Sequence, residues 1–195
     1  MTSASAVRER ILSHGFGVAS AQGLHALSMG DLARDLSVPK SGLFAHFATK
    51  ESLQLGVLEQ AAAMFQRDVG DAAEGNGEER VRQLFVKWIA WSRARYLRGG
   101  CPFVHASAEA DSLAEEVRAY LKAILDQWSE VLKGAIDEAK ASTFKADLDS
   151  AQLVFELYGL YLSHHFWHWS MRDHAAHGRT MKAFDRLLAA SRRAA

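Results

Sequence analysis

The chain is short of cysteine, of proline and of excess charge of either sign, and each shortage excludes something. A single cysteine, Cys101, allows no disulfide within one chain, which removes the cross-linked scaffolds of small extracellular domains. Only two prolines, Pro39 and Pro102, interrupt 195 residues rich in Leu, Ala, Glu, Lys and Arg, so an all-helical chain is expected. No run approaches the roughly 18 apolar residues of a membrane span. No apolar region follows Arg8 and Arg10 as a secretory leader requires, so the expected location is the cytoplasm. The 23 basic and 23 acidic side chains cancel, which argues against gripping nucleic acid by net charge alone. Also missing are a phosphate-binding loop, a hydrolytic zinc motif and any nucleophile motif, which argues against an enzyme.

What is present begins with residues 28–47, Ser-Met-Gly-Asp-Leu-Ala-Arg-Asp-Leu-Ser-Val-Pro-Lys-Ser-Gly-Leu-Phe-Ala-His-Phe. Ser28 is a good helix N-cap, and Asp31 can reach back to it. Leu32, Ala33 and Leu36 form an apolar stripe at helical spacing. Pro39 forces Val38 out of the helical region and suits the first turn of a new helix, so the first helix ends at Ser37-Val38. The second carries Leu43 and Phe47 inward, with Lys40, Ser41, Phe44, Ala45 and His46 outward or sideways. Two short helices, a tight turn and a small Ala33 at their crossing predict a helix-turn-helix, whose second helix enters the DNA major groove. Within residues 1–55, Arg8, Arg10, Arg34, Lys40 and Lys50 outnumber Glu9, Asp31, Asp35 and Glu51 by only one. So small a surplus suits a dimer that lays two modest basic faces on one duplex.

Ile11-Leu12, Gly23, residues 28–33, residues 38–47 and Thr49-Lys50-Glu51-Ser52-Leu53 together resemble the N-terminal signature of the TetR family of transcriptional regulators, ungapped over residues 7–55. The resemblance implies an all-α fold of about nine helices, opening with a three-helix helix-turn-helix domain. Residues 1–50 would form that DNA-binding domain, residues 50–69 a connecting helix, and residues 70–195 a C-terminal ligand-binding and dimerisation domain. Lys40, Ser41 and His46 would read base edges, with Phe44 and Ala45 in apolar contact with thymine methyls, while Ser28, Thr49 and Lys50 would hold phosphates. The implied partners are a double-stranded, near-palindromic operator, a second copy of the chain and a small-molecule effector, with no cofactor; the implied role is a repressor's. Two positions depart from the pattern. Ser37 replaces the usual turn glycine, so a non-glycine residue holds a left-handed conformation at about 1 kcal/mol. Phe44 replaces the usual Tyr, removing a hydroxyl that could meet a phosphate.

Elsewhere, apolar spacing predicts helices over residues 6–22, 49–69, 78–97, 103–110, 112–140, 149–172 and 178–193. In the first, Val7, Ile11, Phe16 and Val18 face inward. Gly15 and Gly17 each cost that helix about 1 kcal/mol relative to Ala, so packing must hold it, and Gly23 ends it. Thr49 is the expected cap of the fourth helix. Lys50 then sits in its first turn, where a cation opposes the helix dipole and a phosphate best explains it. The glycine-rich run 70–77 reads as the interdomain loop. Ser112 to Glu115 reads as a capping box, and Asp149 as the next helix cap. The helix that follows, with Leu153, Val154, Phe155, Leu157, Tyr158, Leu160, Tyr161, Leu162, Phe166, Trp167 and Trp169, is apolar nearly all round and needs cover on two sides. Pairing of residues 149–172 and 178–193 with a second subunit, as a four-helix bundle, would supply it.

For the effector, Trp88, Trp91, Cys101, Phe103, His105, Trp128, Tyr158, Tyr161 and His165 are the candidate lining of an apolar cavity with a few polar handles. The cavity itself is implied mainly by the family resemblance; the alternative is that these aromatics simply fill the core. His164 and His168 share a helix face and invite a metal. No Glu follows the first of them and no cysteine pair or acidic cluster completes a ligand set, so no metal is expected. Cys101, after two glycines and before Pro102, stands where a thiolate would be stabilised. A metal- or thiol-responsive regulator, through His164 and His168 or through Cys101, is therefore the runner-up.

Overall fold

The computed structural model describes residues 4–193, which fold into helices joined by turns, with no β-strand among them. Helices α1 (Ala4–Gln22), α2 (Met29–Asp35), α3 (Lys40–Phe44) and α4 (Lys50–Phe65) come first. They are followed by α5 (Gly77–Trp91), α6 (Pro102–Ala108), α7 (Glu115–Lys140), α8 (Ser150–His165) and α9 (Ala176–Ser191). No helix among the described residues is long and apolar enough to cross a membrane.

Internal contacts divide the chain into two compact units. One holds the described residues up to Met64 together with Arg95–Ile124, and the other holds Phe65–Ala94 and the described residues from Leu125 on. The division is not linear because the turn before α6, and α6 itself, fold back on α1. The Ser20 hydroxyl donates to the Gly100 carbonyl (2.8 Å) and accepts from the Arg98 amide (3.0 Å).

In the first unit, Ile11, Leu12, Phe16 and Ala19 form the buried side of α1, while Val7 and Val18 are only half-buried. Leu32, Ala33, Leu43, Phe47, Leu53 and Val57 are buried as well. A Cβ on Gly15 would stand 2.8 Å from the Val57 Cγ2, so a glycine there lets α1 and α4 approach closely. In the second unit, Phe85 stacks on Phe184 with ring centroids 4.2 Å apart, and Trp88 on Tyr161 at 4.1 Å. Rings of this size bury enough apolar surface to dominate the local packing energy.

Several helix ends differ from the apolar spacing, for local reasons. α5 stops at Trp91 rather than running to residue 97. The Ser92 hydroxyl donates to the Ile89 carbonyl (2.8 Å), and the Trp169 indole donates to the Ser92 carbonyl (2.8 Å), satisfying groups the next turn would have used. α7 begins at Glu115, not at Ser112. The Ser112 hydroxyl closes the preceding 3-10 turn by donating to the Glu109 carbonyl (2.7 Å), so it does not cap α7. α4 and α8 each give way to a π-helical turn, Gln66–Gly70 and Phe166–Ser170, so neither runs as α-helix to the expected end. Asp149 does cap α8, its Oδ1 accepting from the amides of Ala151 (2.9 Å) and Gln152 (3.1 Å).

Candidate nucleic-acid interface

Pro39 precedes α3 with φ −59° and ψ 142°, and the short helix is anchored by Leu43, which is fully buried. Phe47, just beyond it, is also buried, with the Arg8 guanidinium 5.3 Å over its ring. Between these anchors Lys40, Ser41, Phe44 and Ala45 are exposed and His46 is half-buried. Phe44 is 50% exposed, unusual for a ring with no hydroxyl, and leaves an apolar edge beside the polar groups. The turn feeding this helix holds Ser37 at φ +53°, the left-handed conformation expected of it.

The three residues expected at phosphates are all engaged within the protein. Ser28 caps α2, its hydroxyl accepting from the Asp31 amide (3.3 Å). Asp31 does not close a capping box with the Ser28 backbone; its carboxylate meets Arg34 at 2.6 Å. Thr49 and Ser52 cap α4 reciprocally, each backbone amide donating to the other's hydroxyl at 3.2 and 3.1 Å. Lys50 donates from Nζ to the His25 carbonyl at 2.7 Å, which accounts for a cation in that first turn without a phosphate. Thr49 remains exposed and an ammonium has two further protons to donate, so each can still reach an anion. Arg34, absent from the expected contacts, is exposed on α2 between Asp31 and Asp35 (3.3 Å). Arg34 and the Ser28 hydroxyl hold the Asp31 carboxyl below its usual range, so it is ionised at neutral pH.

The residues proposed to line an effector cavity fall into two groups. Cys101, Phe103 and His105 belong to the first unit, at the start of α6, with Cys101 and Phe103 buried. Burial of the Cys101 thiol removes the exposed setting in which cysteines react fastest. Trp88, Trp91, Trp128, Tyr158 and Tyr161 belong to the second unit, where Trp91 of α5 and Trp128 of α7 meet Phe65, and Tyr158 and Tyr161 of α8 meet Trp88. Trp128 lies edge-on to Phe65 at 4.8 Å and to Trp88 at 5.3 Å, and Tyr158 edge-on to Trp88 at 4.8 Å. Phe65 was not anticipated, because its contacts come from helices distant in sequence. His165 is buried on α8.

His164 and His168 do stack, with ring centroids 5.5 Å apart. Among the described residues, however, no group of three or more His, Cys, Asp or Glu is arranged to hold a metal. The Ser92 hydroxyl, which donates to Ile89, accepts from His164 Nδ1 (3.1 Å); this leaves Nε2 a buried acceptor with no hydrogen-bond donor. Burial, then the nearby His168, His177, Arg93 and His165, push the His164 pKa down to about 4.

On α8 and the turn after it, Phe155, Leu162, Phe166, Trp167 and Met171 are exposed, Phe155 to 72%. A groove beside them is lined by Leu160, Ala183, Thr180 and Ala176 of α8 and α9.

Residues 11–56 match the family model for bacterial regulatory proteins of the tetR family, and residues 77–184 match the model for the tetracyclin repressor-like C-terminal domain. The HTH-type transcriptional repressor NemR of Escherichia coli (strain K12) is 22% identical over 158 residues, 77% of this chain and 79% of that one. A TetR transcriptional regulator of Chloroflexus aurantiacus J-10-FL shares the fold with a TM-score of 0.85, at 18% identity over 98% of both chains. AibR, solved in complex with isovaleryl coenzyme A and operator DNA, shares it with a TM-score of 0.68, at 21% identity over 84% of this chain and 85% of that one.

Proposed function

The chain belongs to the tetR family of bacterial regulatory proteins, and from that premise we propose that it is a homodimeric repressor that leaves its operator when a small molecule binds. The observation that carries this reading is a five-residue helix whose Leu43 is fully buried while Lys40, Ser41 and Phe44 stand in solvent. A helix pinned from behind, with polar groups and one apolar edge in front, suits insertion into a major groove. Residues up to 50 form the DNA-binding part, residues 50–69 the connector, and residues from 70 the part that pairs and binds effector. Two copies place two such helices on a near-palindromic site. Lys40, Ser41 and His46 read base edges, Phe44 and Ala45 touch thymine methyls, and Ser28, Thr49 and Lys50 fix the register on phosphates. The protein acts in the cytoplasm, as a regulator and not as an enzyme.

The aromatic cluster of the second unit is the candidate effector site. Trp128 supports it: the Nε1–H is buried with no acceptor, a donor that an effector's oxygen would satisfy. AibR, which carries both an acyl coenzyme A and operator DNA, supports the pairing of effector and operator on this fold. For release, the effector must favour the non-DNA-binding arrangement by about 1–3 kcal/mol.

The test is a gel shift on a duplex taken from upstream of the protein's own gene, titrated with salt. Lys50→Ala is expected to weaken binding to all sequences and to reduce the salt slope by about 1, while Ser41→Ala and His46→Ala change sequence preference. Salt-independent retention, or no binding to that duplex beyond that to random DNA, would sink the reading.

A further inference from the structure

The loop that joins α1 to α2, residues 23–27, is held by side chains from two directions. From α4, Gln54 donates to the Leu24 carbonyl (3.0 Å) and Lys50 to the His25 carbonyl (2.7 Å). From the other direction comes Glu109, the residue that ends α6. Its Oε2 accepts from the Leu24 amide (2.8 Å) and from the His25 amide (3.2 Å). Ser112, in the short turn after α6, lies 2.6 Å from His25 Nε2. Gly23 serves this contact as well as the helix end: it holds φ +86°, and a Cβ there would collide with the Glu109 carboxylate.

Gln54 and Lys50 lie within the N-terminal match of residues 11–56, but Glu109 and Ser112 lie within the C-terminal match of residues 77–184. One carboxylate accepting two backbone amides makes charge-assisted bonds, stronger than neutral ones. Its withdrawal would return both amides to water and loosen the loop that sets how α2, and α3 behind it, stand on α1.

We propose that Glu109 is a positioning residue for the DNA-reading helices. By gripping residues 24 and 25 it fixes α2 and α3, and a displacement of α6 reaches the DNA face without travelling along α4. The inference rests on the reading of α3 as the helix that contacts DNA.

Glu109→Ala, Glu109→Asp and Glu109→Gln separate the grip from mere charge or folding. Asp keeps the charge but falls one methylene short; Gln loses the charge but keeps an oxygen that accepts. Two readouts are needed: amide hydrogen exchange over residues 24–44, and affinity for the duplex from upstream of the gene. Ala and Asp are expected to speed exchange at Leu24, His25 and α2 about tenfold and to weaken binding about tenfold, with Gln within about threefold of wild type on both. Wild-type exchange in Asp or Ala would overturn the proposal. So would faster exchange with unchanged affinity, or equal loss in Gln and Asp. Should Glu109→Ala fail to fold, the Asp–Gln contrast decides alone. A wild-type chain that ignores the duplex would refute the DNA reading, whereas the exchange data, which need no DNA, would still judge the grip.

Discussion

Ser37 holds φ +53°, a conformation that costs an L-residue roughly 1–2 kcal/mol and glycine almost nothing. Ser37→Gly is therefore expected to raise the unfolding free energy by about 0.5–1 kcal/mol, part of the relief being offset by the freer unfolded chain. Urea unfolding followed by circular dichroism reads it. His164 makes a pH prediction. Its pKa is about 4 when folded against the ordinary 6.5, so between those values the unfolded chain binds more protons. Stability is then full above about pH 6.5 and falls as the pH drops toward 4; the neighbouring His168 and His177, also lowered, act with the same sign. His164→Asn keeps a donor for Ser92 but does not titrate, and its stability is expected to decline less steeply over that range in the same unfolding assay. At this scale the sequence was legible wherever a residue acts on its own backbone, as Ser37, Ser28 and Asp149 do. It pointed Lys50 to a phosphate and gave no sign of the His25 carbonyl, a partner that lies 25 positions away.

Gly15 shows what governs an element. By propensity alone, Gly15→Ala should stabilise α1 by about 1 kcal/mol. The added methyl would instead meet Val57 Cγ2 at 2.8 Å, inside contact distance, and Val57 is fully buried on α4. Overpacking costs about 1–3 kcal/mol, so a net loss in thermal stability is expected. Val57→Ala in the same chain should recover part of the loss, a non-additivity that a double-mutant cycle measures. The long helices α5 and α7 were legible from apolar spacing, because one buried face at 3.6-residue period is a local property, and α2 and α3 from Ser28 and Pro39, which act within a turn. Helix ends were legible where a cap is local, at Thr49 and Asp149, and misread where a distant group takes over. α5 stops where the Trp169 indole, 77 residues on, holds the Ser92 carbonyl, and Ser112 is spent on Glu109.

At the scale of the whole molecule, α8 and the π-helical turn after it leave Phe155, Leu162, Phe166, Trp167 and Met171 in solvent. Apolar exposure of that extent along one stretch of chain is the signature of a surface meant to be covered. Under the proposed pairing, each substitution acts twice across a two-fold axis. Phe155→Asp is expected to convert a dimer into a monomer in light scattering at micromolar concentration, with the helical content unchanged, and to abolish gel-shift binding at the same concentration. A monomeric wild type would contradict the arrangement.

The sequence by itself determined the helical class, the helix-turn-helix between Ser28 and Phe47 and the doubly apolar helix after Asp149, since each follows from spacing, capping and proline geometry within a few residues. Only the tertiary structure decided that Cys101, Phe103 and His105 stand in one compact unit and the tryptophans and tyrosines in another. It alone gave Glu109 the α1–α2 loop to hold, across 84 and 85 positions of chain. Hydrogen-bond partners and ring contacts depend on which surfaces meet, and no local pattern encodes a meeting between segments so far apart.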